Sequence, residues 1–300
     1  MLNNKLSIIM HTLERYDCLE DVLIFLRSQT VQPDEIVIAD QTPLEKRPKG
    51  FYENYSDLPI KLLNLDRPSH APAQNKAAKA SSGDLLLFLD DDIEFSNDFI
   101  EQYLYVLETE HVDVVQGAFS DEKTLTEHSE RDYRKMEPLG YFLKLPKYKW
   151  NGMVLATCGG SLLIKRELFL SVGGYDEKTP RMADIELGYR LFRHGAKIFF
   201  SEKPFAHHKR WKSGGTFEKT KDIAYIRLVS RFYIYQKHFP GWMTKQFVLH
   251  EFISALLLRE FVSGKFLKKN MMKPYLPIIR VFQVITAYNK AKNMLQDLVK

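Results

Sequence analysis

The feature that most constrains the fold is a run of five apolar residues that leads directly into three consecutive aspartates. The segment LLLFL at 85–89 has the length and composition of a fully buried strand, and Asp90, Asp91 and Asp92 follow it without a spacer. Three adjacent carboxylates repel one another unless a cation or solvent lies between them. The pattern therefore predicts a strand covered on both faces that delivers an acidic cluster to the edge of the core.

The first two thirds of the chain alternate predicted strands with predicted helices. Short apolar segments predict strands at 6–11, 35–39, 60–65, 85–89, 112–116, 155–164 and 197–200, and helical periodicity predicts helices at 17–29, 72–80, 97–108 and 184–194. Asp17, with Glu20 three residues later, has the spacing of a capping box and is the expected N-cap of the first helix. The alternation favours an α/β fold with a mostly parallel central sheet flanked by helices.

The charge of the chain is distributed unevenly. Residues 1–200 hold 24 Lys and Arg against 32 Asp and Glu, whereas residues 201–300 hold 19 against 6. We expect a catalytic domain over 1–215 and a basic helical appendage over 216–300. The basic region predicts an anionic partner, and an anionic membrane surface bound through residues 222–300 is favoured over nucleic acid, which we do not expect as a partner. The alternatives are pairing with the acidic body, a helical cap on the first domain, or a dimer interface.

Cysteine usage and hydropathy indicate an intracellular location. Cys18 and Cys158 do not have the spacing of a zinc site, and two isolated cysteines fit a reducing compartment. The opening MLNNKLSIIMHTLERYD does not have the pattern of a secretory signal, and no segment reaches the roughly 18 apolar residues of a membrane span. We therefore expect a cytoplasmic protein that is peripheral at the inner face of the membrane.

The predicted strands place several carboxylates at one edge of the sheet. Parallel sheets bind ligands at the carboxyl ends of their strands, and both Asp40 and the acidic triplet stand at such ends. Because alternate side chains of an extended segment point the same way, Asp90 and Asp92 can act together on magnesium or manganese. The alternatives are a solvated acidic turn for the triplet and a turn or N-cap for Asp40.

Three further features carry candidate chemistry. Asp184 opens a predicted helix, where it is either a cap or a general base for an acceptor hydroxyl. His207 and His208 follow a predicted strand and are either metal or phosphate ligands or a solvated surface pair. Residues 118–152 are irregular and rich in aromatic and charged residues, and we expect them to shape an acceptor site.

Five segments also occur in a familiar order and spacing. They are SIIMHTLERYDCLEDVLIFLRSQT, EIVIAD, APAQNKAAKASSGDLLLFLDDD, GGSLLIKRELFLSVGGYDE and ADIELGYRLFRHG. Over about residues 5–215 the chain resembles the inverting family 2 glycosyltransferases, whose Rossmann-like fold is called GT-A. The resemblance implies metal-dependent transfer of a sugar from a nucleotide-diphosphate donor, with a UDP-sugar as the default, to a hydroxyl of a glycan or lipid-linked acceptor.

The resemblance also implies roles for residues on the nucleotide side. Thr12 and Arg15 match the loop after the first strand, which touches the nucleotide. Asp40 matches the aspartate that reads the base, and Asn75 and Lys76 match a polar pair near the donor.

On the side of the reacting groups, the resemblance points to the acidic triplet and to a backbone segment. Asp90 and Asp92 match the two ends of the D-x-D motif, with Asp92 as the expected metal ligand and Asp91 grouped with the donor-binding residues. Gly160 matches the backbone stretch near the donor sugar and the acceptor.

The last implied positions are the base and a histidine. Asp184 matches the catalytic base, and His207 or His208 matches a histidine that holds the metal or the diphosphate in some members. Two rival functions remain. A sugar nucleotidyltransferase usually has a glycine-rich loop after the first strand, which HTLER at 11–15 is not. A protein that only binds a nucleotide sugar or a glycan would not need Asp184 as a base beside Asp92.

Overall fold

The structure is a computed structural model that describes residues 4–121, 152–153, 160–209, 223–256 and 276–297. The segment expected to shape the acceptor site is described only at its two ends. Three features named above lie outside the described residues. They are Cys158, the part of the predicted strand 155–164 that precedes Gly160, and the expected domain boundary at 215/216.

Nine strands in the described residues form one sheet, and eight α-helices accompany it. The strands are β1 (Leu6–Thr12), β2 (Glu35–Asp40), β3 (Ile60–Asn64), β4 (Leu85–Leu89), β5 (Ile93–Phe95), β6 (Val114–Asp121), β7 (Gly152–Met153), β8 (Ser161–Lys165) and β9 (Ile198–His208). The helices are α1 (Tyr16–Arg27), α2 (Ala71–Ala80), α3 (Phe99–Thr109), α4 (Arg166–Ser171), α5 (Ala183–Arg193), α6 (Ile223–His238), α7 (Gly241–Leu256) and α8 (Leu276–Gln296).

The N-terminal half of the sheet is parallel and covered on both faces. The strands stand in the order β3-β2-β1-β4, and every residue of β1 and β4 is buried. Alternate residues of β1 enter different cores, with Ile8 and Met10 in the layer that holds α1 and α3, and Ile9 in the layer that holds α2, α4 and α5. Continuous apolar strands of this kind are typical of parallel sheets buried on both faces. The carboxyl ends of β1, β2 and β4 therefore meet at one edge.

The second half of the sheet is mixed. β8 runs antiparallel to β4 and β6, β6 and β9 are parallel, and β5 and β7 are antiparallel to β9. The predicted α/β class is confirmed. The sequence did not predict the reversed direction of β8, because an apolar run does not indicate which way a strand pairs. Because of that reversal, Ser161 stands opposite Leu89, and the backbone N–H of Asp90 donates to the carbonyl of Gly160 at 3.4 Å.

The predicted N-cap of the first helix is wrong. α1 begins at Tyr16 with Arg15 in the capping position, and no side chain caps it. The Arg15 side chain is turned instead toward Asp91 and Asp92. Asp17 lies within the first turn, where its negative charge still interacts favourably with the positive end of the helix dipole.

The three C-terminal helices, α6 to α8, form a helical unit around one core. Residues of α5 also pack against this core. Leu228, Phe232, Phe247 and Val284 are fully buried members of this core. Met182, Ile185 and Tyr189, at the start of and along α5, pack against it. The helical unit therefore packs against α5. Among the described helices, none combines the length and apolar character needed to cross a bilayer.

A buried carboxylate joins α5 to α6. Glu186 is fully buried and accepts hydrogen bonds from Arg190 on its own helix and from Lys237 and His238 on α6, at 2.6–3.0 Å. Burial opposes the charged form, but the bonds from His238 and Arg190 outweigh burial and lower the pKa of Glu186 to about 2. The stabilisation is fully present above the unfolded pKa of about 4.3 and is lost as the pH falls toward 2.

We predict that Glu186→Gln lowers the free energy of unfolding at pH 7 by on the order of 3 kcal/mol, because it leaves buried cationic partners uncompensated. The difference from the native protein should shrink as the pH falls from 4.5 toward 2. Urea unfolding followed by circular dichroism measures both quantities. Glu167→Gln, at an exposed site in the first turn of α4, is the matched control. A Glu186→Gln variant as stable as this control would contradict the prediction.

Candidate functional site

The sheet edge assembles a three-residue cluster that can hold a metal ion. Ligand atoms of Asp90, Asp92 and His208 all lie within 4.8 Å of one another. β4 delivers the two aspartates, and the pairing of β5 with β9 sets Ile93 opposite His208, so the histidine reaches the acidic turn. The Nε2 atom of His208 is 3.0 Å from Oδ1 of Asp92. Two carboxylates and an imidazole suit a divalent cation such as manganese or magnesium, so these residues fit the expected ion.

The loop after β1 holds the other aspartate of the triplet. The hydroxyl of Thr12 donates to Oδ2 of Asp91 at 2.8 Å, and Nη1 of Arg15 lies 3.1 Å from Oδ1 of the same residue. Nη2 of Arg15 also bonds Oδ2 of Asp92. Asp91 thus contacts the loop after β1, whereas Asp90 and Asp92 lie near the histidine. The last two aspartates stand in a turn after β4 and not in the extended segment that the sequence predicted.

The environments of the three aspartates separate their pKa values. Burial raises the pKa of Asp91 to about 7 in spite of Arg15, and burial together with the charge of Asp92 raises that of Asp90 to about 6. Burial acts the same way on Asp92, but His208 and Arg15 outweigh it and lower the pKa of Asp92. A bound divalent cation favours the charged forms of its carboxylate ligands, so cation binding would release protons from this cluster.

A cavity of about 690 Å³ opens beside the acidic cluster. Asp90 and Gly160 line one side of it, and Asp184 lines it from the first turn of α5. The charge of Asp184 contributes to the raised pKa of Asp90, which places the two carboxylates within electrostatic range of each other. The structure therefore brings together Asp90, Gly160 and Asp184, which the sequence separates by up to 94 residues.

A strained residue precedes the candidate base. Met182 occupies the N-cap position of α5 with φ 64° and ψ 28°, in the left-handed region that residues with a Cβ seldom adopt. Its side chain packs against the core of the helical unit. Strained backbone persists only where the surroundings over-determine it, and such residues cluster at functional sites. Met182 thus joins the start of α5, two residues before Asp184, to the core of the helical unit.

Asp40 is fully buried and already engaged by protein donors. Its Oδ2 atom accepts hydrogen bonds from the hydroxyls of Tyr16 at 2.7 Å and Tyr52 at 2.8 Å, and its Oδ1 atom accepts one from the backbone N–H of Thr42 at 2.9 Å. Arg47 lies 3.4 Å away as its charge partner. A carboxylate accepts about four hydrogen bonds, so protein groups already occupy most of the acceptor capacity of Asp40.

The two polar residues expected near the donor have different positions on α2. The side-chain amide of Asn75 donates to the carbonyl of Tyr175 and to Glu177, and its oxygen accepts from the backbone N–H of Tyr175, all within 2.8–2.9 Å. Asn75 thereby holds the turn whose Glu177 lines the cavity. Lys76 lies on the exposed face of α2 and is not part of the cavity wall.

Of the two adjacent histidines, only His208 belongs to the cluster of candidate metal ligands in the described residues. His207 stands opposite Glu94 in the pairing of β9 with β5. Successive side chains of a strand point to opposite faces, so the two histidines cannot serve the same site from one extended segment.

Sequence reasoning missed His70 and the three arginines that line the cavity, Arg181, Arg227 and Arg231. His70, before the first turn of α2, lines the cavity, and its ring meets that of His11 edge to face with centroids 4.7 Å apart. Burial and the charge of Arg181 lower the pKa of His70 to about 4, and burial followed by His70 lowers that of His11. Both rings are therefore neutral at pH 7. The one signal for His11 in the sequence was its position as a polar residue near the end of β1.

Comparison with known proteins identifies a family for most of this fold. The family model described as Glycosyl transferase family 2 matches residues 7–173. The O-antigen biosynthesis protein RfbC of Myxococcus xanthus is 26% identical over 220 residues, which cover 68% of this chain and 17% of that protein. The chain thus spans about a sixth of the length of this relative.

Two solved structures share the fold. Staphylococcus aureus TarS 1-349 in complex with UDP-GlcNAc aligns with a TM-score of 0.58 and 13% identity, covering 98% of this chain and 92% of that one. The mannosyltransferase PcManGT from Pyrobaculum calidifontis, in complex with GDP-Man and Mn²⁺, aligns with a TM-score of 0.54 and 16% identity, covering 99% and 75%. The arrangement of sheet and helices is therefore that of GT-A transferases.

The cluster geometry yields a prediction that distinguishes the two histidines. His208→Ala should weaken manganese binding by at least about tenfold, because it removes one of three protein ligands, and loss of even an outer partner of a ligand has effects of that size. His207→Ala should keep an affinity within about threefold of the native protein. Calorimetric titration with manganese measures both, and equal losses in the two variants would contradict the assignment of His208.

Proposed function

The chain belongs to glycosyl transferase family 2, and we propose that it is a metal-dependent inverting glycosyltransferase that moves a sugar from a nucleotide-diphosphate donor to an acceptor hydroxyl. One observation carries the proposal: Asp184 and Asp90, the first residue of the acidic triplet, line the same cavity. Sugar transfer needs a site that balances the charge of a leaving diphosphate and a base that faces the incoming hydroxyl. The cavity offers both within reach of one substrate.

On the donor side, Asp90, Asp92 and His208 would hold a divalent cation. A cation bound there supplies Lewis-acid stabilisation of the negative charge on the diphosphate. Arg15 fixes Asp91 and Asp92 by its two contacts, so the ligand carboxylates keep their orientation before the donor arrives. Such preorganisation is a large part of catalysis wherever charge develops in the transition state.

The nucleotide itself would lie along the ends of β1 and β2. Thr12 and Asp40, both buried, are direct neighbours in the register of these strands, so the loop after β1 begins beside the aspartate that we propose for base recognition. We propose a UDP-sugar as the donor, following the family default. TarS was solved with UDP-GlcNAc and PcManGT with GDP-Man, so a donor panel has to include both nucleotides.

On the acceptor side, Asp184 accepts the proton of the attacking hydroxyl. The oxygen attacks the anomeric carbon from the face opposite to the diphosphate, and a single displacement inverts the configuration at that carbon. The support for this role is the position of Asp184 in the first turn of α5, held by the strained Met182 and by the bonds of Glu186 to α6.

We propose a lipid-linked or membrane-proximal glycan as the acceptor, with the protein cytoplasmic and bound to the inner face of the membrane. The support is an exposed apolar stripe on two helices of the basic region, flanked by the exposed cations Lys245, Lys290 and Lys292. Its residues recur at helical spacing and are Trp242, Leu249, Ile253 and Leu256 on α7 and Ile278, Ile279, Phe282 and Ile285 on α8. Basic amphipathic helices of this kind bind anionic membrane surfaces.

The proposed base yields a kinetic prediction. Asp184→Asn should lower metal-dependent turnover by about 10²–10⁴-fold, the usual contribution of a positioned general base. The measurement is release of nucleoside diphosphate from a panel of UDP-, GDP- and dTDP-sugars with manganese. Glu110→Gln, an exposed site at the end of α3, is the control. Turnover within threefold of native in Asp184→Asn, or no release from any donor by the native protein, would overturn the proposal.

The apolar stripe yields a second prediction. The native protein should float with vesicles that contain anionic phosphatidylglycerol and not with neutral phosphatidylcholine vesicles. Trp242→Ser combined with Phe282→Ser should reduce the fraction of protein bound to vesicles by about tenfold or more. The reason is that serine lacks most of the apolar surface whose burial in the membrane contributes to the binding free energy. Leu44→Ser, which removes a residue that is 71% exposed on the first domain, is the matched control. Native protein that stays off anionic vesicles would exclude membrane binding.

A further inference from the structure

The cavity that holds the candidate base has a basic wall. Beyond Asp184, its lining includes Arg181 from the segment before α5 and Arg227 and Arg231 from α6. These three arginines come from parts of the chain about 50 residues apart, so only the packing of α6 against α5 brings them together. The catalytic roles proposed above use none of them.

Arg231 has a structural role that accounts for its charge. It is buried, its Nη1 atom lies 3.1 Å from Oε1 of the fully buried Glu251 on α7, and its guanidinium stands over the ring of Phe247. The pair joins α6 to α7 inside the helical unit. The ion pair between Arg231 and Glu251 does not involve the other two cationic residues of the wall, Arg181 and Arg227.

Arg181 and Arg227 lie close enough to repel each other. Burial, followed by the charge of Arg227, lowers the pKa of Arg181. The backbone N–H of Arg181 donates to the hydroxyl of Ser230 at 3.0 Å, one turn of α6 from Arg227, which explains why the two side chains share one wall. Within the described part of the chain, no ion pair joins Arg227 to a carboxylate. Two guanidinium groups held together at the wall of a cavity create a local positive potential.

The cavity lining carries both acidic and basic side chains, with Asp90, Glu177 and Asp184 as the acids and Arg181, Arg227 and Arg231 as the bases. Asp90 and Gly160 stand at the donor side, Asp184 follows within electrostatic range of Asp90, and Arg181 precedes Asp184 by only three residues. An acceptor that offers its hydroxyl to Asp184 would therefore have its neighbouring atoms beside the two arginines. Arginine binds phosphate through paired N–H groups, and two arginines match the double charge of a phosphate ester.

We propose that Arg181 and Arg227 form a subsite for a phosphate or diphosphate ester carried by the acceptor. The inference rests on the proposed glycosyltransferase function and names the chemical class of its acceptor. The ester belongs either to a lipid carrier or to a soluble sugar phosphate, and the two sources are separable by experiment.

The test is calorimetric binding to the full-length protein with EDTA present, so that no metal contributes to phosphate binding. The lipid arm compares farnesyl phosphate with farnesol, and the soluble arm compares glucose 1-phosphate with glucose. Native protein should bind at least one phosphate probe more tightly than its neutral counterpart. Tight binding of farnesyl phosphate alone assigns a lipid carrier, whereas binding of both phosphates assigns the ester group itself.

Variants locate the binding. Arg227→Ala should weaken the phosphate probe by about tenfold or more, the scale of a hydrogen-bonded charge pair, and Arg227→Lys should fall between this variant and the native protein. Arg227 is exposed, so its replacement leaves the core of the helical unit intact. Arg193→Ala, exposed in the last turn of α5 and about 14 Å along the helix from Asp184, is the matched control.

Two results would overturn the subsite. One is native protein that binds neither phosphate probe better than its neutral counterpart, and the other is equal phosphate affinity in Arg227→Ala and Arg193→Ala. Donor turnover by the native protein tests the transferase function separately, since it needs no acceptor phosphate. A chain that turns over a donor but lacks phosphate binding keeps the proposed function and loses the subsite.

Discussion

The repulsion among three adjacent carboxylates is the constraint on which the site depends. A buried strand brings Asp90, Asp91 and Asp92 to the edge of the core, where isolated charges are costly. Arg15 and Thr12 engage Asp91, and Arg15 with His208 engages Asp92. Arg15 is also the N-cap residue of α1, and because a guanidinium has no acceptor atom it cannot cap the helix by its side chain, which serves the acidic cluster.

Much of the framework could be predicted because it follows local sequence patterns. The buried strands were predicted from continuous apolar runs, and the structure contains them, with the acidic triplet directly after β4. The direction of β8 carries no such signal, because an apolar run reads the same whichever way it pairs. The N-cap predicted at Asp17 is wrong because the capping-box spacing does not by itself set the helix start: α1 begins one residue earlier, at Tyr16.

The candidate site was less accessible to local reasoning than the fold. The place of Asp184 in the pocket was implied by the family resemblance and not by its position at a helix start, which fits a cap equally well. The enclosure of Asp40 by Tyr16 and Tyr52 depends on side chains that converge from separate segments. The wall formed by Arg181 and Arg227 likewise arises from tertiary packing alone. Which of these residues act in transfer stays a prediction.

The cavity is built from two structural sources, and this has an evolutionary consequence. One part of its lining is Asp90 and Gly160, which stand at the ends of β4 and β8 in the sheet, whereas another wall is made by α6 and the segment before α5. Substitutions in that wall leave the strand register untouched. Duplicated copies of such a gene can therefore diverge in the lining of this wall while inheriting an unaltered sheet, which lets one part of the pocket vary independently of the framework.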